Sequence, residues 1–175
     1  MKEIYPEVDC VCKPYCSVMI CGATEKEFVT ACEKMFGDKA DYICYNGFLN
    51  DDGSITCDFC KEETNYITQK LSILLPDATV YGDCSWDYHY FCSYKNGREN
   101  DDFTARWEED EPEGYKEWDE EDEETYFDCN IVITDNKTGC EFYTGGGMCA
   151  EKEYKAFCVL INSHPHTKQS VEVER

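Results

Sequence analysis

Residues 16–37 read CSVMICGATEKEFVTACEKMFG, and this stretch decides the fold class more than any other part of the chain. Apolar and β-branched residues occupy both faces of its first seven residues, which is typical of a buried strand. Thr24 and Glu27 then have the spacing of a helix capping box, and apolar residues recur at helical spacing until Gly37. The stretch therefore predicts a buried strand followed directly by a helix.

Residues further along the chain continue this alternation of strands and helices. Residues 41–48 and 53–60 predict two short strands, because Asn-Gly and Asp-Gly pairs between them favour a turn. Residues 62–76 predict a helix, since their apolar residues share one helical face and Pro76 ends the pattern. Three strands are predicted next, at residues 78–86, 88–97 and 102–107, with Asn96 and Gly97 forming a hairpin between the last two.

This order of elements predicts an α+β fold with a ferredoxin-like βαββαβ core, in which two helices cover one face of an antiparallel sheet. Residues 128–146 predict a further hairpin with its turn at 135–139, and residues 150–162 fit either a helix or a buried strand. The predicted organisation is a core at 1–107, an acidic aromatic insertion or loop at 108–124, an added hairpin and C-terminal element at 125–162 packing on the same domain, and a flexible tail at 163–175.

The charge of the chain is strongly acidic and unevenly distributed. Its formal net charge is -22, from 38 acidic against 16 basic residues. Residues 108–124 contain 12 acids and one lysine, a net -11, which is half of the total. Such a field repels nucleic acids and anionic lipids and speeds encounter with basic proteins. The charge therefore argues against direct nucleic-acid or membrane binding and favours a basic protein partner.

The compartment decides how the 14 cysteines are interpreted. In a secreted protein they would suggest a disulfide framework. The first residues, MKEIYPEVDCVCKPYC, lack the apolar segment of a signal peptide, and no run of about 18 apolar residues predicts a membrane span. We therefore expect a cytoplasmic protein with reduced thiols.

Four cysteines form the sharpest chemical pattern. Cys10 and Cys12 form one potential half-site, and Cys57 and Cys60 form a Cys-x-x-Cys pair. Four thiolates can surround zinc tetrahedrally, so these residues predict a possible structural zinc site. The alternative is that the cysteines behave as small hydrophobic residues, because many of them occupy apolar positions within predicted strands.

Nothing in the sequence predicts an enzyme. The chain has three histidines, and none lies in a pattern that joins a nucleophile to a general base. Carboxylates are so abundant that any pair of them could be called catalytic. An enzyme whose acids act with an external cation stays open as an alternative, and it would require a concave cluster of carboxylates.

The acidic stretch itself is the predicted partner-binding surface. Solvated acidic linkers are poor in aromatic residues, whereas tryptophan and tyrosine interleave the acids here. Carboxylates can pair with Arg and Lys as phosphates do, and flat rings can stack on guanidinium groups. The predicted partner-binding residues are Trp107, Glu108, Glu109, Asp110, Tyr115, Trp118, Asp119, Glu120, Glu121 and Asp122. A solvated linker is the alternative interpretation of the same residues.

These observations predict an interaction protein without a cofactor. Its acidic, motif-poor composition resembles that of immunity proteins that neutralise nuclease toxins and of phage-encoded inhibitors of restriction or CRISPR nucleases. The resemblance implies that the chain imitates DNA and blocks the basic nucleic-acid-binding or active-site groove of a nuclease. The alternative, from a different class of function, is a zinc-stabilised cytosolic scaffold that uses the four cysteines named above.

Overall fold

The computed structural model describes residues 1–8, 15–60, 63–85, 88–109, 116–119, 124–163 and 166–170. In chain order its elements are β1 (Lys2–Tyr5), β2 (Tyr15–Cys21), α1 (Glu25–Phe36), a 3₁₀ turn (Gly37–Lys39), α2 (Ala40–Ile43), β3 (Cys44–Leu49), β4 (Ile55–Cys60), α3 (Thr64–Leu74), β5 (Thr79–Ser85), β6 (Tyr88–Lys95), β7 (Arg98–Glu99), β8 (Phe103–Glu109), β9 (Lys116–Asp119), β10 (Glu124–Asp135), β11 (Glu141–Ala150), α4 (Glu151–Ser163) and β12 (His166–Ser170). The fold is mixed α+β, and the strand pairs of the described residues are antiparallel.

Two sheets form the framework. In the first sheet the strand order is β1-β3-β4-β2-β5-β6-β12, with β7 also paired to β6. In the second sheet the order is β11-β10-β8, with β9 paired to the first part of β10. No helix within the described ranges is both long and apolar enough to cross a membrane.

Helices α1 and α3 cover one face of the first sheet. Phe28 of α1 and Leu71 of α3 are fully buried in one core with Val18 and Phe59 of the sheet. The predicted capping box is present, because the Glu27 N–H donates to Thr24 Oγ1 and the Thr24 N–H donates to a Glu27 carboxylate oxygen. The strand and helix predicted at residues 16–37 are thus confirmed.

The opposite face of the first sheet packs against the second sheet and α4. Met19, Tyr81 and Phe91 meet residues of β8, β10, β11 and α4 in a second core. The Tyr81 ring stacks on Phe91 at 6.3 Å between centroids and meets the edge of Phe103 at 5.9 Å. Strands β2, β5 and β6 of the first sheet therefore contribute to a core on this face, which explains why β2 carries apolar residues on both of its faces.

A buried hydrogen bond joins the two sheets. The Tyr81 hydroxyl donates to Asp135 Oδ2 at 2.7 Å, and the Asp135 side chain is almost completely buried. The other oxygen, Oδ1, accepts from the backbone N–H groups of Lys137 and Thr138 and from the Thr138 hydroxyl. One carboxylate therefore orders the turn between β10 and β11 and fixes that turn to the first sheet.

Helix α4 covers the outer edge of β8. The Asn162 side chain accepts from the Ala105 N–H at 2.7 Å and donates to the Ala105 carbonyl at 2.8 Å. The Asn162 amide thus takes the place of a neighbouring strand. It forms the hydrogen bonds that the backbone of Ala105 would lack at a free edge of the sheet. The segment at 150–162, for which the sequence allowed a helix or a strand, is helical, and Phe157, Cys158 and Ile161 turn one face toward the second core.

Both Asn-Gly pairs have roles that differ from the predicted ones. Asn46 and Gly47 lie inside β3, at an irregularity in its pairing with β4, and the turn between these strands is at Asp51–Gly53. A Cβ at Gly47 would come within 2.9 Å of Tyr5, so glycine allows β1 to approach β3. Asn96 and Gly97 do form a turn, but it joins β6 to the short β7, while β8 belongs to the second sheet.

The C-terminal segment also differs from the expected flexible tail at 163–175. His166–Ser170 form β12, which pairs with β6 from Cys92 to Tyr88. The physical reason is that β6 would otherwise leave backbone hydrogen-bonding groups open along its edge, and β12 satisfies them. Residues 171–175 lie outside the described residues.

We predict that Tyr81→Phe lowers the free energy of unfolding by about 1.5–3 kcal/mol, because the change removes a hydrogen bond to a buried carboxylate. Urea unfolding of both proteins measures the difference. Tyr66→Phe on α3 is the matched control, since Tyr66 is 52% exposed, and it should change the stability by less than about 0.5 kcal/mol. Equal effects of the two substitutions would contradict the role assigned to the Tyr81 hydroxyl.

We predict that the buried Cys158 thiol makes the protein less stable at alkaline pH. Burial raises the pKa of Cys158 from its ordinary value of 9.0 to about 11. As the pH rises, the unfolded chain therefore releases this proton before the folded protein does. The contribution of the Cys158 thiol to the free energy of unfolding is complete below about pH 9 and is lost as the pH rises toward 11. Between about pH 8 and about pH 10 the free energy of unfolding of the wild-type protein should fall by about 1 kcal/mol more than that of Cys158→Ala. Urea unfolding at both pH values tests this, and identical pH dependence of the two proteins would refute it.

Candidate partner-binding site

The outer face of the second sheet, which points away from the first sheet, carries a row of three residues. Val132 on β10 is opposite Arg106 on β8 and opposite Tyr143 on β11. Val132 is fully buried, whereas 54% of Tyr143 is exposed. In the next row Thr134 is opposite Glu141. Strand pairing thus brings an arginine, a glutamate and a tyrosine together at the surface.

Arg106 is held between two glutamates on this face. Its guanidinium donates to Glu141 Oε1 at 3.0 Å, to Glu108 Oε2 at 3.4 Å and to Thr134 Oγ1 at 2.9 Å. Desolvation tends to lower the pKa of Arg106, but the two carboxylates outweigh it and raise that pKa above its ordinary value. Because two negative charges surround one positive charge, the group keeps a net charge of -1.

Tyr143 adds an exposed aromatic ring to this group. Its hydroxyl lies 3.5 Å from Glu141 Oε2. Partial desolvation and the charges of Glu108 and Glu141 raise the pKa of Tyr143. Tyr143 and Glu141 were not among the residues predicted from the sequence. Both flank the buried Phe142, so strand alternation predicts that they share the opposite, solvent-facing side. Strand alternation is therefore the sequence pattern that could have identified both residues.

A groove with a volume of about 480 Å³ lies next to this face, between β11 and the strands β2, β3 and β4. Its lining residues include Phe48, Phe142 and Tyr143. Three carboxylates, those of Asp52, Asp58 and Glu141, also line it, and none of the described lining residues is basic. The groove is therefore an acidic recess with aromatic walls, and it adjoins the outer face through Glu141 and Tyr143.

Neighbouring polar groups orient the two aspartates of the groove. Asp58 Oδ1 accepts from the Ser17 hydroxyl at 2.5 Å, and Oδ2 accepts from the Asn46 amide at 2.9 Å. Asp52 Oδ1 accepts from the backbone N–H and the hydroxyl of Ser54. Desolvation works to raise the pKa of Asp52, but the Ser54 hydrogen bonds outweigh it and hold that pKa below its ordinary value.

Five of the ten predicted partner-binding residues lie in the described part of the chain, and they have different surroundings. Glu108 lies on the outer face with Arg106, whereas the Trp107 ring packs against the second core, and Lys155 Nζ lies 5.0 Å from its centroid. Glu109 ends β8, and the backbone of Trp118 and Asp119 belongs to β9, opposite Thr125 and Glu124 of β10. Asp110, Tyr115, Glu120, Glu121 and Asp122 lie outside the described residues.

The structure describes two of the four cysteines of the predicted zinc site. Cys57 is buried in the core beneath α1, and Cys60 lies three residues later on the same strand, where side chains alternate between the two faces. Cys10 and Cys12 lie outside the described residues. Within the described part of the chain no group of three or more His, Cys, Asp or Glu residues has an arrangement that could hold a metal ion. The zinc site stays a prediction.

No protein-family model, curated protein or solved structure matches this chain. The functional inference therefore depends on the chemistry of the described residues alone. These residues are an exposed tyrosine, carboxylates on the outer face of the second sheet, and an acidic groove that adjoins them.

Proposed function

We propose that this protein is an inhibitor that binds the basic nucleic-acid-binding or active-site groove of a partner protein, such as a nuclease. It blocks that groove sterically and electrostatically, without chemistry of its own. The observation that carries the proposal is the grouping of Glu108, Glu141 and Tyr143 on the outer face of the second sheet, next to the acidic groove. In a chain with a net charge of -22, this surface favours a basic partner.

The chemistry of nucleic-acid binding supports the proposal. Arg and Lys form charge-assisted hydrogen bonds with carboxylates as they do with phosphates. Alternate residues of a strand lie about 7 Å apart on one face, so acidic strands present charge at regular intervals. An exposed ring such as Tyr143 can take the place of a base on the aromatic side chains with which nucleic-acid-binding proteins stack bases. Carboxylates and an aromatic ring on one sheet therefore imitate two features of a nucleic acid.

The described parts of the acidic stretch, residues 108–109, 116–119 and 124, belong to strands of the second sheet. Glu108 and Glu109 belong to β8, and the described backbone of β9 pairs with β10, with Asp119 opposite Glu124 and Glu117 opposite Tyr126. Strand pairing attaches this part of the stretch to the sheet that carries Glu141 and Tyr143. The described acidic residues of β8 and β9 therefore belong to the same sheet as Glu141 and Tyr143.

The proposed core is ferredoxin-like. The strand order β3-β4-β2-β5, the antiparallel pairing and the position of α1 and α3 on one face support this assignment. The second sheet covers the face that such a unit leaves open, and its outer side becomes the surface for the partner. We also propose a cytoplasmic location, because none of the ten cysteines with described side chains forms a disulfide.

We predict that neutralising three acids of the second sheet, by Glu108→Gln, Asp119→Asn and Glu124→Gln together, weakens partner binding about tenfold. The binding assay uses a panel of purified restriction endonucleases, RNA-guided nucleases and ribonuclease toxins. Binding of the wild-type protein should also weaken as the salt concentration rises, because salt screens surface charges.

The matched control changes the net charge by the same amount on the helix side of the first sheet, with Glu33→Gln, Asp38→Asn and Asp41→Asn. All three control positions are exposed on or beside α1 and α2. The control should bind like the wild-type protein. The proposal fails if no member of the panel binds, or if both triple variants weaken binding equally.

A further inference from the structure

The groove between β11 and the first sheet has a specific chemical character. Phe48, Phe142 and Tyr143 are among its lining residues, and Asp52, Asp58 and Glu141 supply negative charge. Glu141 is partly neutralised by Arg106, so the recess and its edge keep a net charge of about -2 from three acids and one base. A cationic group with a flat, apolar face would complement both features.

Asp58 is prepared to accept a further hydrogen-bond donor. The Ser17 hydroxyl and the Asn46 amide each donate to one of its two oxygens, which holds the carboxylate in one orientation. Each carboxylate oxygen has two lone pairs, so both oxygens can accept a second donor from the groove. A ligand that donates two parallel N–H groups would find this acceptor already oriented, and would lose little entropy on binding.

Arginine fits this description better than lysine. A guanidinium group is planar, donates to carboxylates through a rigid fork of N–H groups and stacks on aromatic rings. A lysine ammonium is a compact, strongly hydrated charge without a flat face, so it gains less from aromatic walls. Tyr143 is 54% exposed and borders the groove, where it offers a ring for stacking.

We propose that the groove receives one arginine side chain of the partner protein, with the guanidinium on Asp58 and its flat face against Tyr143. The identity of the partner as a basic protein rests on the proposed function above. The arginine would anchor the contact through charge and stacking, while the acids of the second sheet surround it with longer-range attraction. Specific recognition would thus depend on the groove rather than on net charge alone.

The test uses the peptide acetyl-Gly-Arg-Gly-amide as the probe and the full chain as the receptor. NMR at low salt follows the Tyr143 ring and the Asn46 side-chain amide, since it detects weak binding at individual residues. The arginine peptide should shift both signals. A citrulline peptide has nearly the same shape without the charge and should not shift them, and a lysine peptide should bind more weakly than the arginine peptide.

Asp58→Asn should weaken binding of the arginine peptide by about tenfold or more, which corresponds to one lost hydrogen-bonded charge pair. Tyr143→Ala, at an exposed position that the fold tolerates, should also weaken it. Asp38→Asn is the control with the same charge change, located beside α1 on the other side of the first sheet, and it should leave the affinity unchanged.

Three results would overturn this inference: no shift with the arginine peptide, equal shifts with the citrulline or lysine peptide, or equal affinity of Asp58→Asn and Asp38→Asn. The peptide experiment contains no partner protein, so it is independent of the nuclease panel. A groove that binds the arginine peptide in a protein that binds no nuclease would refute the proposed function alone. A protein that binds a nuclease but does not bind the arginine peptide would refute the arginine site alone.

Discussion

The buried hydrogen bond from Tyr81 to Asp135 is the contact on which the arrangement of the two sheets depends. A buried carboxylate is costly unless donors surround it, and Asp135 has donors from Tyr81, Lys137 and Thr138. Asp135 Oδ1 orders the turn between β10 and β11, and Oδ2 accepts from Tyr81 of the first sheet. These hydrogen bonds hold the turn in place against the first sheet. That position fixes where β11 starts, and therefore where Glu141 and Tyr143 reach the surface.

Packing on both faces of the first sheet leaves the second sheet to carry the candidate binding surface. Helices α1 and α3 bury one face, and β8, β10, β11 and α4 bury the other. Neither face of the first sheet is left as a broad binding surface, although the groove remains where β11 passes over β2, β3 and β4. The outer face of the second sheet carries the charged side chains of Arg106, Glu108 and Glu141.

The candidate site was only partly predictable. The charge of residues 108–124 indicated a basic partner, and Glu108 does lie on the outer face. Trp107 was one of the predicted partner-binding residues, and the strand alternation of β8 turns it toward the second core. Tyr143 is far from Asp52 and Asp58 in the sequence and meets them only because the second sheet packs against the first. No local pattern could have joined them, because their common property is a shared groove.

The sequence by itself determined the elements whose stability comes from near neighbours. The capping box of α1, the helix ending before Pro76 and the turn at 135–139 depend on contacts within a few residues, so their local patterns predicted them. Tertiary structure decided which strands pair: Gly97 leads into β7 instead of β8, Asn46 and Gly47 fit β3 beside Tyr5, and β12 joins β6. Open strand edges and buried faces select these partners, and both exist only after the chain has assembled.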